Sequence, residues 1–222
     1  MMWKSWFTWL IATVLMVLYV SAGSVASQTD TIRIRLEPGY ATQLHIVRLA
    51  DDFLRMRLEF TVGHEPRPEL GNHATREDWR KTGLLKLVNP GSAVRIAAST
   101  PDAAPVTYEA MPNSVGFSSA PSAFRDLTPA ISISPGVWHW PPTGNGLVLH
   151  RGVNVVNIEV AVAEQPLGGE EVELRMMPAL GFKSGMPNVA WLWFWHLWPF
   201  LAIVQAFWAV ALVRWRRRQP GG

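Results

Sequence analysis

Four residues in one short stretch have the chemistry to hold a metal ion. His64, Glu65, Glu69 and His73 lie within GHEPRPELGNH, and imidazole and carboxylate are both good zinc ligands. The spacing argues against them. Eight residues separate the two histidines, which matches neither the helical nor the strand repeat. Pro66 and Pro68 stiffen the stretch without aiming the ligands at one point. A solvated polar loop is the plainer reading, and His64 and His73 remain weak metal candidates. Met111, Met177 and Met186 each precede a proline, and six histidines are scattered along the chain. Exported copper carriers use methionine and histidine, yet no two of these residues make a recognisable spacing. No cofactor is expected.

Trp138-His139-Trp140-Pro141-Pro142 is more unusual. Only three of the twelve tryptophans fall in the middle of the chain, and two are here. In a strand the two rings share a face and His139 takes the other. Exposed, they would stack on a glycan, a peptide, a partner or the bilayer surface. Buried, they are core. Arg33, Arg35, Arg55 and Arg57 fall on the outer faces of two early strands. If those strands pair, the guanidinium groups form a stripe suited to carboxylate or phosphate. Glu37, Asp51, Asp52 and Glu59 lie close enough in sequence to neutralise it. Catalytic motifs are missing: there is no G-x-S-x-G elbow, P-loop, dinucleotide fingerprint or H-E-x-x-H. No catalytic residue is named, and the chain is expected not to be an enzyme.

These residues sit in a chain of 222 with 49% apolar and 17% charged residues and no cysteine. The missing cysteine excludes disulfides, iron–sulfur clusters, thiolate zinc, blue copper and a cysteine nucleophile. Charge is divided unevenly. Lys4 is the only charged side chain before Asp30, and after Lys183 only Arg214, Arg216, Arg217 and Arg218 follow. The ends thus carry five cations and no acid, while 28–183 holds 15 cations and all 17 acids. The isoelectric point near 9.6 belongs to the termini and does not imply nucleic-acid binding, which calls for a basic patch on the folded domain.

The ends are also where apolar residues gather. The run 184–213 has no formal charge, and His196 is its only titratable group. A helix needs about 20 such residues to cross the hydrocarbon core. Trp191, Trp193, Phe194, Trp195, Trp198 and Phe200 crowd its first half, as rings at the headgroup level do. The reading is an interfacial lead-in over about 188–198 and a span over about 197–214, with Pro199 starting or kinking the deep helix. An ionisable group there marks function by default, and His196 is expected to bond a neighbouring helix or a headgroup. Trp208 and Trp215 mark the opposite interface, and the tail 214–222 is cytoplasmic by the positive-inside rule. At the other end, 6–20 is apolar and Ser24-x-Ala26 is a small-x-small pattern. Two readings of 1–27 stay open: a signal peptide cut after Ala26, or a retained anchor.

Between them, 28–183 alternates with period two. Ile32, Ile34 and Leu36 alternate with arginines, and Leu54, Met56, Leu58, Phe60 and Val62 alternate strictly with polar residues. Val156–Val162 and Val172–Met176 repeat the pattern, with Gly168-Gly169 as the turn between. Segments 84–88 and 93–98 flank Asn89-Pro90-Gly91-Ser92 and read as a hairpin. Val106–Ala110 and Ser114–Phe117 are weaker strands. A short helix is expected over 76–82, with Thr75 and Asp78 as a cap. The expectation is an all-β exported domain, a β-sandwich of jelly-roll or immunoglobulin-like type, on the inner membrane with its main domain periplasmic or extracellular.

The function expected from this layout is a non-catalytic accessory or scaffold subunit. Its partners would be the lipid bilayer and a multi-spanning membrane protein, with no nucleic acid. Trp191, Trp193, Trp195, His196, Trp198 and the arginines Arg214, Arg216, Arg217 and Arg218 would make the contacts. A tethered glycan- or peptide-binding module using Trp138 and Trp140 is the alternative. An exported metal carrier or enzyme is the third reading.

Overall fold

The computed structural model describes residues 2–63, 67–75, 79–112, 122–142, 146–181 and 187–217. It divides into two compact units, Thr29–Pro178 and the pair Met1–Gln28 with Ala179–Gly222.

The first unit is mostly β. Its strands are β1 (Asp30–Arg35), β2 (Ala41–Arg48), β3 (Asp52–Phe53), β4 (Met56–Thr61), β5 (Asn72–Thr75), β6 (Leu84–Asn89), β7 (Val94–Thr100), β8 (Ala103–Pro112), β9 (Ser122–Thr128), β10 (Val137–His139), β11 (Val148–Leu149), β12 (Gly152–Ala163) and β13 (Glu171–Met176). A 3₁₀ turn spans Pro68–Leu70, and a four-residue helix spans Trp79–Thr82. Where a sandwich would divide the strands between two facing sheets, eight of these thirteen form one antiparallel sheet. Its order is β1-β13-β4-β9-β8-β7-β12-β2. The two edge strands follow one another in the chain, and the sheet curls until it is nearly a barrel. The others make a small sheet, β10-β6-β5, and the pair β11-β3.

Period two explains the core. Met56, Leu58 and Phe60 on β4, and Val156, Ile158 and Val160 on β12, point inward and are at most 2% exposed. Val172, Leu174 and Met176 on β13 and Val94, Ile96 and Ala98 on β7 join the same cluster. The register of β12 against β7 shifts between Val160 and Val162, a bulge that bends the long strand. Tyr108 is fully buried. Its hydroxyl accepts from Leu147 N (2.7 Å) and donates to Leu54 O (3.3 Å), and burial pushes its pKa up to about 12.

The expected hairpin over 84–98 does not form. β6 pairs with β5 and β10, whereas β7 pairs with β12 and β8. The Asn89–Ser92 turn is present but is captured by other elements. Ser92 N donates to Glu69 O (2.8 Å), and Asn89 Nδ2 donates to Pro68 O (2.9 Å). Gly71 and Gly91, at φ +74° and +71°, let the two backbones approach so closely that a Cβ on either would strike the other. Segment 164–170 turns at Gly169 (φ +87°), but β12 and β13 take different neighbours. Ser114–Phe117 and the 76–78 part of the expected helix lie outside the described residues.

The second unit is helical: α1 (Met2–Ala26), a 3₁₀ segment (Pro187–Leu197), and a long helix, Trp198–Arg217, here α2. Both Lys4–Ala26 and Pro187–Arg217 are long and apolar enough to cross a membrane. At 1.5 Å per residue α2 is about 30 Å long, the thickness of a hydrocarbon core. Pro199 is its second residue, in the first turn, where its missing N–H costs nothing.

Candidate functional site

The helical unit collects most of the residues singled out for membrane or partner contact. α1 and α2 run antiparallel. Trp9 Nε1 donates to Gln205 O (3.2 Å), and the Gln205 carboxamide lies 3.5 Å from Thr13 Oγ1. Further along, the Tyr19 hydroxyl donates to Trp191 O (3.0 Å), and their rings meet edge-on at 5.9 Å. Ser5 and Thr8 line a cleft with Trp208, Ala211, Leu212 and Trp215. Lys4 therefore lies at the same end of the hairpin as Arg214, Arg216 and Arg217. Arg218 lies outside the described residues.

The lead-in before Pro199 is an eleven-residue 3₁₀ helix. Three residues per turn place i and i+3 one above the other. Trp191, Phe194 and Leu197 therefore make one ridge, 62%, 62% and 36% exposed, and Phe200 (67%) continues it. Val189 and Leu192 lie on another side of the turn and are buried. Trp195 is half-buried, and Trp193 and Trp198 are exposed. His196 is half-buried between rings, with Trp195 at 5.0 Å and Trp193 at 6.3 Å. Its imidazole belongs to this aromatic packing.

In the β unit, Trp138 is 2% exposed and packs with Leu85, Leu87 and Met111 as a second small core. Its ring face is taken. Trp140 lies half-buried at the edge of that core, edge-on to Trp79 at 6.5 Å, and His139 is exposed. Stacking by a pair of rings is thus reduced to one ring. Met111, a copper candidate, is core as well.

The arginine stripe also changes character. β1 and β4 do not pair; β13 lies between them. It sets Glu173 opposite Arg33 and Glu171 opposite Arg35. Arg57 bonds Asp126 (2.6 Å) and covers the Phe124 ring (5.0 Å), while Arg175 bonds Glu59 (2.6 Å). Arg55 turns to Pro178 O (2.6 Å). Acids and arginines are mixed on this face, with Glu173 opposite both Arg33 and Glu59 and Arg175 opposite Arg57, so the four arginines do not form one continuous stripe.

His64 and Glu65 lie outside the described residues, as does the His73 side chain. Glu69 is engaged by Arg67 (2.7 Å), which also makes a two-pronged bond to Glu170 (2.8 and 2.7 Å). Among the described residues no group of three or more histidines and carboxylates could hold a metal ion.

Two buried charge clusters had no signature in the sequence. Arg125 is 2% exposed and donates to the carbonyls of Ser92 (2.6 Å), Pro90 (3.2 Å) and Ala110. Burial lowers its pKa to about 10, against the pull of Glu109 and Glu164. Beside it Glu109 accepts from Arg95 (2.9 Å), Ser132 N (3.1 Å) and Ser132 Oγ (3.2 Å), lining a cleft of about 280 Å³. The second cluster is the buried pair Arg48–Asp52 at 3.6 Å. Each is read as structural.

Known proteins add little. No family model matches the chain, and no curated protein matches its sequence. Among solved structures, a protein from Sulfurospirillum deleyianum shares 14% identity over 68% of this chain and 97% of that one, with a TM-score of 0.38. A family GH115 4-O-methyl-α-glucuronidase with specificity for decorated arabinogalactans shares 13% over 70% of this chain and 16% of that one, with a TM-score of 0.27. Likeness at this level carries no functional argument.

Proposed function

We propose that this chain is a non-catalytic accessory or scaffold subunit of an inner-membrane complex. Its β unit stands on the periplasmic or extracellular side, its helices lie in the bilayer, and Arg214, Arg216 and Arg217 face the cytoplasm. The observation that carries this reading is the exposed ridge of Trp191, Phe194, Leu197 and Phe200. A plain tether needs only an apolar stretch. Large apolar side chains repeated every third residue along one side, three of the four aromatic, give a shaped surface, and large aromatic side chains are enriched among the residues that dominate protein contacts. The orientation rests on charge. Lys4 and the three arginines share one end of the antiparallel hairpin, and Lys and Arg near the ends of spans are retained inside.

The test is to replace Trp191, Phe194 and Phe200 together by leucine in the full, carboxyl-terminally tagged chain. Membrane insertion should persist, and co-isolation of a multi-spanning partner in mild detergent should be lost. Unchanged co-isolation refutes the ridge as the docking surface.

A further inference from the structure

We propose that α1 stays in the mature protein as the second limb of a two-helix anchor, paired along its length with the 3₁₀ segment and α2. This deepens the proposed function and rests on the same premise of two helices in a bilayer.

The first argument is the stripe that α1 turns toward its partner. Ser5, Trp9, Ala12, Met16, Tyr19 and Gly23, each half-buried or buried, follow one another at alternating steps of four and three, with Trp6, Thr13 and Val20 flanking them. That is a repeat of 3.5, the period of a helix keeping one seam against another helix. Phe7, Leu10, Val14, Leu15 and Leu18, on the other side, are 50–61% exposed, as lipid-facing residues are. α2 answers with Ala202, Gln205, Ala209 and Leu212, spaced three, four and three.

The second argument is polar. Among lipid tails a polar side chain gains nothing from its surroundings, so it is satisfied by another helix. Gln205 is such a residue in α2, and its backbone and side chain meet Trp9 and Thr13 of α1. The Tyr19 hydroxyl reaches Trp191 O in the same way. The third is steric. A Cβ built on Gly23 would fall inside the Trp195 indole, so this glycine is the seat of that ring. A leader that is removed has no need of a fitted seat.

The fourth concerns the bond a peptidase would cut. Hydrolysis after Ala26 requires access to its carbonyl carbon. Ala26 is 5% exposed, and its oxygen accepts from Leu180 N (2.9 Å). Ser27 N donates back to Gly23 O (2.9 Å), so the bond lies in a last helical turn and not in an extended strand.

The experiment uses the full chain, tagged at its carboxyl end and isolated from its own membranes. Intact mass should give the whole 24.8 kDa chain plus tag; a chain beginning at Ser27, or otherwise lacking α1, overturns the proposal. Because the chain has no cysteine, a Thr13→Cys/Gln205→Cys variant carries the only two thiols. A short bis-maleimide should link α1 to the tagged α2 fragment after proteolysis of the exported part. Adding Gly23→Leu should cut that linkage severalfold. An uncut chain that does not cross-link also overturns the pairing. Loss of a partner from a chain that keeps α1 counts against the proposed function alone.

Discussion

Asp30 and Met176 face each other across β1 and β13, so the chain enters and leaves the β unit at one corner. The corner is reinforced. Arg48 Nη2 donates to Met177 O (3.2 Å), Arg55 Nη2 to Pro178 O (2.6 Å), and Met177 N to Arg55 O (2.8 Å). Arg48 also pairs with Asp52, both almost fully buried.

The Arg48–Asp52 pair should behave as a buried pair whose desolvation outweighs its attraction. Burial lowers the Arg48 pKa and raises that of Asp52 in spite of their opposite charges. Removing one partner leaves an uncompensated buried charge, which costs about 3–5 kcal/mol. Arg48→Met alone is therefore expected to be strongly destabilising, and Arg48→Met with Asp52→Asn to recover a large part of the loss. Denaturant unfolding followed by tryptophan fluorescence gives both values. Equal losses in the single and double variants would contradict the account.

Asp52 also sets a pH signature. Its folded pKa lies above the ordinary 3.8, so between those values the folded state binds more protons than the unfolded chain. Its contribution to stability therefore falls as pH rises through that window. Glu69 runs the other way. Burial is the largest single influence and pushes its pKa up, but the bond to Arg67, a backbone N–H and the Arg67 charge together hold it below the usual 4.5. Its contribution is present above 4.5 and is lost as pH falls through the depressed value. Asp52→Asn should thus gain stability relative to the parent as pH rises from about 4. A difference independent of pH would show that Asp52 is not desolvated.

Trp138 and Trp140 should separate cleanly. Trp138 fills a small core, so Trp138→Ala is expected to cost about 3–5 kcal/mol. Trp140, half-buried at its rim, should cost clearly less. Melting curves of the two variants decide this, and equal small losses would return the pair to the surface as a ligand platform.

These residues also show how far the sequence could be read. β1, β4, β12 and β13 were legible because their apolar residues alternate without interruption. β9 was not, because its inward position 125 is an arginine, and β2 was obscured in the same way by the buried Arg48. An inward cation erases the period that marks a strand. The Pro90-Gly91 turn was legible as a turn, but turn chemistry does not choose partners: Arg125 and the Pro68–Leu70 turn hold it away from a hairpin. The arginine stripe failed for a related reason, since β13 lies more than a hundred residues beyond the two strands it separates. The two segments long and apolar enough to cross a membrane were legible from composition alone, and the seam of α1 required the partner helix to be seen.

Arg125 invites a direct check. Its planar fork serves three carbonyls, a geometry that an ammonium cannot reproduce. Arg125→Lys is expected to lose about 2 kcal/mol, in the range for hydrogen bonds from charged groups. Hydrogen exchange should rise at Gly91 and Ser92, whose turn it holds. Unchanged exchange there would assign the clamp to the Pro68–Leu70 contacts.

The central claim is that this chain works as part of a membrane complex. It is tested most directly by isolating the tagged, full chain from its own membranes in mild detergent and identifying the co-purifying chains by mass. The account predicts a multi-spanning protein in stoichiometric amount. A chain that comes out alone, intact and folded, would contradict it.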